Sequence, residues 1–413
     1  MSGVELIAAI ICLAAILGYV NARFLRLPSS IGLMATALLG SSTVVGLDRL
    51  GVLNSATIEA FVAQIDFAHV LMHGLLGLLL FAGALHVDLA ELRANRSAVI
   101  VLAVVATVLS TLLVGTTTWA LLRWLALPIS FAQALLFGAL ISPTDPIAVL
   151  GILKSANVPR QLSIQIGGES LFNDGIGVVL FIVIGGVSHG GAVTWQSVFG
   201  LFAREALGGA LFGVAIGYLG YRVLKSIDDY SIEVLITLAL VVGGYAVAER
   251  AHISAPIAAV VSGLVVGNQG RQLGMSDETR LHVDLFWKLI DEILNAVLFL
   301  LLGLQATRLQ LNRPLVLGML LAIAIALAAR FISVAATVPL LSRSRLPSNY
   351  VKILTWGGLR GGISVALALS LEPGPVRETI LGLTYAVVAF SILFQGLSLK
   401  WFLKRLTASN GVA

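Results

Sequence analysis

The stretch Ala139-Leu-Ile-Ser-Pro-Thr-Asp-Pro-Ile-Ala-Val149 (ALISPTDPIAV) decides how the chain reads, because it holds a carboxylate between two prolines inside a long apolar run. Pro143 and Pro146 have no amide hydrogen for the carbonyls four residues earlier, Ala139 and Ser142. Within a bilayer such unpaired oxygens are tolerated only where they are buried in protein or line a water-filled cavity. Together with the Thr144 hydroxyl and the Asp145 carboxylate they offer the oxygen ligands that hard cations prefer. Taken alone, the motif also fits a plain proline kink.

The surroundings are membrane. Of 413 residues, 58% are hydrophobic and 11% charged, with a mean hydropathy of +0.99; a soluble domain carries about 25% charged residues. A spanning helix needs about 20 apolar residues. Hydropathy places about thirteen such segments, near 4–22, 28–47, 68–87, 97–121, 131–152, 163–188, 195–221, 231–248, 254–268, 285–304, 314–341, 351–371 and 379–399. The expected fold is an all-α polytopic membrane protein, one membrane domain over 1–413. Glu5, with no basic residue ahead of the first apolar stretch, marks a retained span rather than a signal peptide. The single cysteine, Cys12, excludes a disulfide framework.

The formal charge of +5 would suit nucleic acid or acidic lipid, but its distribution points elsewhere. With the N-terminus outside, 17 of the 26 Lys and Arg fall in connections after odd-numbered spans or in the C-terminal tail, and 6 on the opposite side. That asymmetry follows the positive-inside rule for an odd number of spans and puts the C-terminus in the cytoplasm. Basic residues therefore report topology, and no nucleic-acid partner is expected.

Span 12 contains a second interruption, Trp356-Gly-Gly-Leu-Arg-Gly-Gly362. Spans 5 and 12 are seven apart, so they run in opposite directions. Interrupted segments at matching positions of two inverted halves point to a secondary transporter site. The halves are expected over 1–190 and 231–405, linked by span 7 (195–225).

Three acidic residues lie deep in spans: Asp145, Glu169 and Asp174. Such depth costs several kcal/mol unless the group faces a cavity, an ion or a partner charge. Span 6 reads Gly167-Gly-Glu-Ser-Leu-Phe-Asn-Asp-Gly175. On a helix Glu169 lies above Asn173, and Ser170 above Asp174, so two polar stripes share one face. Two span arginines, Arg330 and Arg360, can meet that face. The expectation is an ion pair of Glu169 with Arg330, leaving Asp174 free to titrate, while Arg360 compensates helix ends at the break of span 12.

With ISPTDPIAV, GESLFND and WGGLRGG in order, the chain resembles the monovalent cation/proton antiporters of the NhaP and sodium/proton exchanger branch. Further matches are Leu80-Phe-Ala-Gly-Ala-Leu-His-Val-Asp88 in span 3 and Ser254-Ala-Pro-Ile-Ala-Ala-Val-Val-Ser-Gly-Leu-Val-Val-Gly-Asn268 in span 9. The resemblance implies a homodimer with a dimerisation region and a moving transport region built around two crossed, unwound helices. It implies Asp174 as carrier of proton and cation, with Asn173 as its structural neighbour. Thr144, Ser170 and the backbone around Asp145 become further ion-site groups, and Glu169 with Arg330 the supporting salt bridge. The Asn-Asp pair marks the branch that exchanges one cation for one proton. Some relatives carry an acid in span 3 where this chain has Ala82, and His86 nearby is read as interfacial, as are His69 and His73.

The mechanism expected is competition. Asp174 holds a proton or an alkali cation, most simply Na+ (or Li+ or K+), but not both, and the loaded site moves by alternating access. The cycle is electroneutral, needs no cofactor, and in a bacterial inner (plasma) membrane couples proton influx to sodium exit, a role in pH homeostasis. A channel would need a carbonyl filter or rings of charge, and an intramembrane enzyme a signature such as HExxH or GxSxG. No HExxH occurs, and the one GxSxG string, Gly186-Val-Ser-His-Gly190, falls at the end of an apolar span rather than on a strand-to-helix elbow. A symporter of organic anions would need a roomier site with anion-binding groups.

Overall fold

The computed structural model describes residues 3–49, 66–127, 129–145, 149, 160–188, 195–305, 312–341 and 349–408. Pro146 and nearly all of span 5 beyond it lie outside these. The described residues are helical with no strand. The principal helices are α1 (Val4–Leu25), α2 (Ser29–Arg49), α3 (Phe67–Leu85), α4 (Arg96–Trp124), α5 (Phe131–Ile141), α6 (Arg160–Ser188) and α7 (Trp195–Leu224). They continue as α8 (Tyr230–Arg250), α9 (Ala255–Val265), α10 (Asp277–Gln305), α11 (Arg313–Leu340), α12 (Tyr350–Trp356), α13 (Gly362–Leu369) and α14 (Pro375–Arg405).

Local chemistry sets several of the starts. Ser130 and Gln133 cap α5 reciprocally, each side chain bonded to the other's backbone amide. Asp229 accepts from the first amides of α8, and Asn312, followed by Arg313 and Pro314, caps α11.

Eight helices among the described residues are long and apolar enough to cross a membrane, fewer than the thirteen segments hydropathy suggests. The difference has local causes. Span 9 appears as a shorter apolar helix, and α5 ends at the break of span 5. Span 12 is split into α12 and α13 by its glycines, and α10 carries Asp284, Lys288, Asp291 and Glu292 along its length.

By their packing the helices sort into two groups. In one, α4 packs on α5 and α11, α5 on α6, and α14 on α11 and α13. In the other, α9 packs on α3, α7 and α8, and α10 on α2, α3 and α8. The groups touch along α6 with α7 and α9, and along α13 with α3 and α10. Asn268 ties the two further segments of the resemblance together: its amide nitrogen donates to Val87 O at 2.9 Å, and its oxygen accepts from Leu89 N at 2.8 Å.

Candidate ion-binding site

The two interrupted segments meet at their breaks. Asp145 N donates to Leu359 O at 2.7 Å, a backbone bond from one unwound stretch to the other. The Arg360 guanidinium donates to the carbonyls of Ser142 and Pro143, the latter at 2.8 Å. A cation thus sits at the carbonyl end of α5, where the helix dipole is negative. Arg360 lies in the break of span 12 but compensates the end of the other segment. The Ser142 oxygen that proline chemistry predicts to be orphaned is therefore satisfied by a charge 218 residues away.

Close approach makes this crossing possible. A methyl group at Gly177 of α6 would lie 2.1 Å from Pro143 Cγ, so only glycine lets the broken segment rest there. At Gly361 it would lie 2.4 Å from Asp145 Oδ2 and 2.8 Å from its Cβ. Gly361→Ala must therefore displace the Asp145 carboxylate, an overpacking effect of about 1–3 kcal/mol. We expect a weakened sodium dependence of transport together with a lower melting temperature, both measurable on the purified protein.

From α6, Glu169 pairs with Arg330 of α11: Nη1 donates to Oε1, and Nη2 to Oε2 at 3.0 Å. Arg330 also donates to Leu354 O, with Nε at 3.3 Å and Nη2 at 3.2 Å, so each of its guanidinium nitrogens is engaged. Both side chains are buried, so the two-point contact and the Leu354 carbonyl are what offset their desolvation.

The next two stripe residues do something else. Asn173 Oδ1 accepts from Thr144 N at 3.1 Å, its Nδ2 donates to Thr144 Oγ1 at 2.9 Å, and Thr144 Oγ1 lies 2.8 Å from Ser170 Oγ. Asn173, Ser170 and Thr144 form a closed buried network that clamps the unwound segment to α6. Each polar atom of the Asn173 amide is engaged with Thr144, which fixes the amide's orientation by its partners.

Asp174 differs from its neighbours. It is 5% exposed and has no hydrogen-bond or ion-pair partner among the described residues. Asp145 and Arg360 are its charged neighbours. Asp174 and Asp145 line a cavity of about 40 Å³ with Pro143 and Gly361, walled on the other side by α3 and by Leu298 of α10. That is space for one or a few water-sized groups. Thr144, Ser170 and Asn173 stand behind this cavity rather than on its wall.

Ser391 and Gln395 of α14 also serve the break and were not singled out by the sequence. Ser391 Oγ accepts from Arg360 N at 2.8 Å, and Gln395 Nε2 donates to Trp356 O at 3.3 Å. They bound a π-helical turn, Ser391–Gln395, a distortion frequent at functional sites. The available signal was a pair of polar residues four apart in an apolar span. Ala82 of α3 is buried, and its carbonyl lies 2.9 Å from His86 Nδ1. His73 pairs with Glu249 at 3.4 Å and stacks on His69.

Comparison with known proteins agrees with this architecture. Residues 10–405 match the family described as sodium/hydrogen exchanger, transmembrane. The chain is 48% identical over 413 residues to the Na(+)/H(+) antiporter NhaP of Pseudomonas aeruginosa, covering 98% of this chain and 97% of that protein. It is 39% identical to the Na(+)/H(+) antiporter NhaH of Halobacillus dabanensis, covering 93% of each. Its fold resembles the sodium proton antiporter MjNhaP1 of Methanocaldococcus jannaschii with a TM-score of 0.76 at 17% identity, covering 98% of this chain and 99% of that one.

Proposed function

The chain belongs to the transmembrane sodium/hydrogen exchanger family, and from that premise we propose that it is a secondary antiporter exchanging Na+ for H+, one for one, by competition at Asp174. It is a transporter and not an enzyme. The observation that carries the reading is a buried carboxylate without a partner among the described residues, set on a small cavity where two broken helices meet.

Charge balance supports the stoichiometry. Glu169, Asp145 and Asp174 face Arg330 and Arg360 within one buried cluster. Among the described residues, three acidic groups against two basic ones leave one negative charge. A single monovalent cation, proton or Na+, brings the cluster to neutrality, and the unloaded cluster carries a charge that is costly to move through a bilayer. Asn173 cannot carry a second proton. The clamp of Thr144, Ser170 and Asn173 gives the ion site its shape and supplies oxygens behind the carboxylates.

In this reading the group built from α4, α5, α6, α11, α12, α13 and α14 moves against the other group, which serves as scaffold. The inverted halves, 1–190 and 231–405, contribute one broken segment each. The antiporter acts as a homodimer in a bacterial plasma membrane, with the N-terminus outside and the C-terminus in the cytoplasm. Proton influx then drives sodium exit, and the transported ions are the only small partners.

The test is exchange in proteoliposomes. A sodium gradient should move protons at a rate unchanged by clamping the membrane voltage, since no net charge crosses. Proton movement that appears only when a potential is free to develop would instead indicate a channel. Competition adds a second expected result. On the acid limb the sodium concentration for half-maximal exchange should rise about tenfold per pH unit, because each proton bound removes one sodium site. A half-saturation independent of pH would exclude a shared carboxylate.

A further inference from the structure

Two polar side chains of α10 are unused by the site above. Asn295 is 5% exposed, and its amide nitrogen donates to Asp291 O at 2.7 Å and to Asp291 Oδ1 at 3.1 Å. A backbone carbonyl can only accept, so it fixes the nitrogen there and turns the amide oxygen away. That oxygen is buried and has no hydrogen-bond donor among the described residues. An acceptor left so is costly, a cost that a bound water or cation would remove.

Its helix face leads to the transport site. Leu298, one turn further along α10, lines the Asp174 cavity and packs on Gly362. On α3, Leu79 and Gly83 line the same cavity, and His86 follows one turn beyond Gly83. The helices α3 and α10 pack together, and His86 lies close enough to Asp291 to interact with it electrostatically, as does Glu292 of the same helix. From the cavity the two packed helices run on to His86 on α3 and to Asn295 and Asp291 on α10, the last about 10 Å beyond Leu298 at 1.5 Å per residue. His86 is exposed at its far end. Its Nδ1 is held by Ala82 O, which leaves Nε2 as an acceptor when the ring is neutral.

We propose that Asp291 and Asn295 form an antechamber for the alkali cation between the cytoplasm and Asp174. The Asp291 carboxylate supplies charge, and the orphan Asn295 oxygen replaces one oxygen of the ion's hydration shell. A single carboxylate with neutral oxygens suits a monovalent ion better than a divalent one, whose sites gather more charge. This inference rests on the antiport reading.

Exchange in sealed vesicles of known orientation, with NaCl added to one face at a time, tests it. In Asn295→Leu and in Asp291→Asn the half-saturating sodium concentration should rise about fivefold from the cytoplasmic face. From the opposite face it should change by less than a factor of about two. The maximal rate should be kept. Equal shifts on both faces, or none, overturn the antechamber. If Asn295→Leu fails to insert, the near-isosteric Asp291→Asn decides alone. Wild-type exchange with unshifted variants removes only this inference, whereas wild-type vesicles that move no protons under a sodium gradient remove the antiport reading and this inference with it.

Discussion

Sodium-driven proton movement by Asp174→Asn is expected to fall to the level of protein-free vesicles, with the protein still inserted and folded. Asparagine keeps the size and shape of the side chain, so the small cavity and the clamp of Thr144, Ser170 and Asn173 should persist. The change is to charge. In the variant, Glu169 and Asp145 face Arg330 and Arg360, and among the described residues the cluster is neutral without any ion. It can then neither bind a proton nor hold Na+ by charge, and nothing couples its movement to either gradient. Stability should hold or rise, because a buried carboxylate without a described partner is costly and an amide less so. Vesicle exchange at several pH values and cations, beside a melting curve, checks both parts. Substantial retained exchange would move the carrier role away from Asp174.

Some of this site was legible because membrane burial makes polar residues conspicuous. Prolines flanking Asp145, the stripe from Glu169 to Asp174, and the glycines around Arg360 all break an apolar background that would otherwise be uniform. Periodicity placed Glu169, Ser170, Asn173 and Asp174 on one helix face, but it could not divide their labour. Ser170 and Asn173 are consumed by Thr144, while Asp174 faces the cavity, and that distinction depends on rotations no spacing encodes. Arg360 was legible as a charge at a helix break, yet its reach to Ser142 and Pro143 across the crossing is a tertiary fact. Ser391, Gln395 and Asn295 were hidden for another reason. Single Ser, Gln or Asn residues in apolar helices commonly bond within their own turn, and only packing shows which serve another segment or keep an open oxygen. The interior of the spans was less legible than their positions, because the split of span 12 and the charges along α10 depart from the length and apolarity by which spans are recognised.

The largest effect on stability is expected at the Glu169–Arg330 pair. In Glu169→Gln the guanidinium of Arg330 stays buried and keeps Leu354 O, but loses the carboxylate that took both its terminal nitrogens. Removing one partner of a buried pair costs about 3–5 kcal/mol, chiefly from the charge left behind. The local balance shifts as well, since the cluster would hold two acidic and two basic groups and Asp174 would no longer be needed as a negative charge. Glu169→Gln should therefore melt well below wild type and bind Na+ poorly even where it folds. Removing both charges separates these effects. Glu169→Leu with Arg330→Met takes away one charge of each sign, leaves the excess at one negative, and replaces the pair by apolar volume, a change often neutral or stabilising. The double variant should recover most of the lost stability and keep measurable sodium/proton exchange. Recovery of stability without exchange would mean that the pair also sets the geometry of α6 against the crossing; recovery of neither would mean that Arg330 holds the break of span 12 chiefly through Leu354.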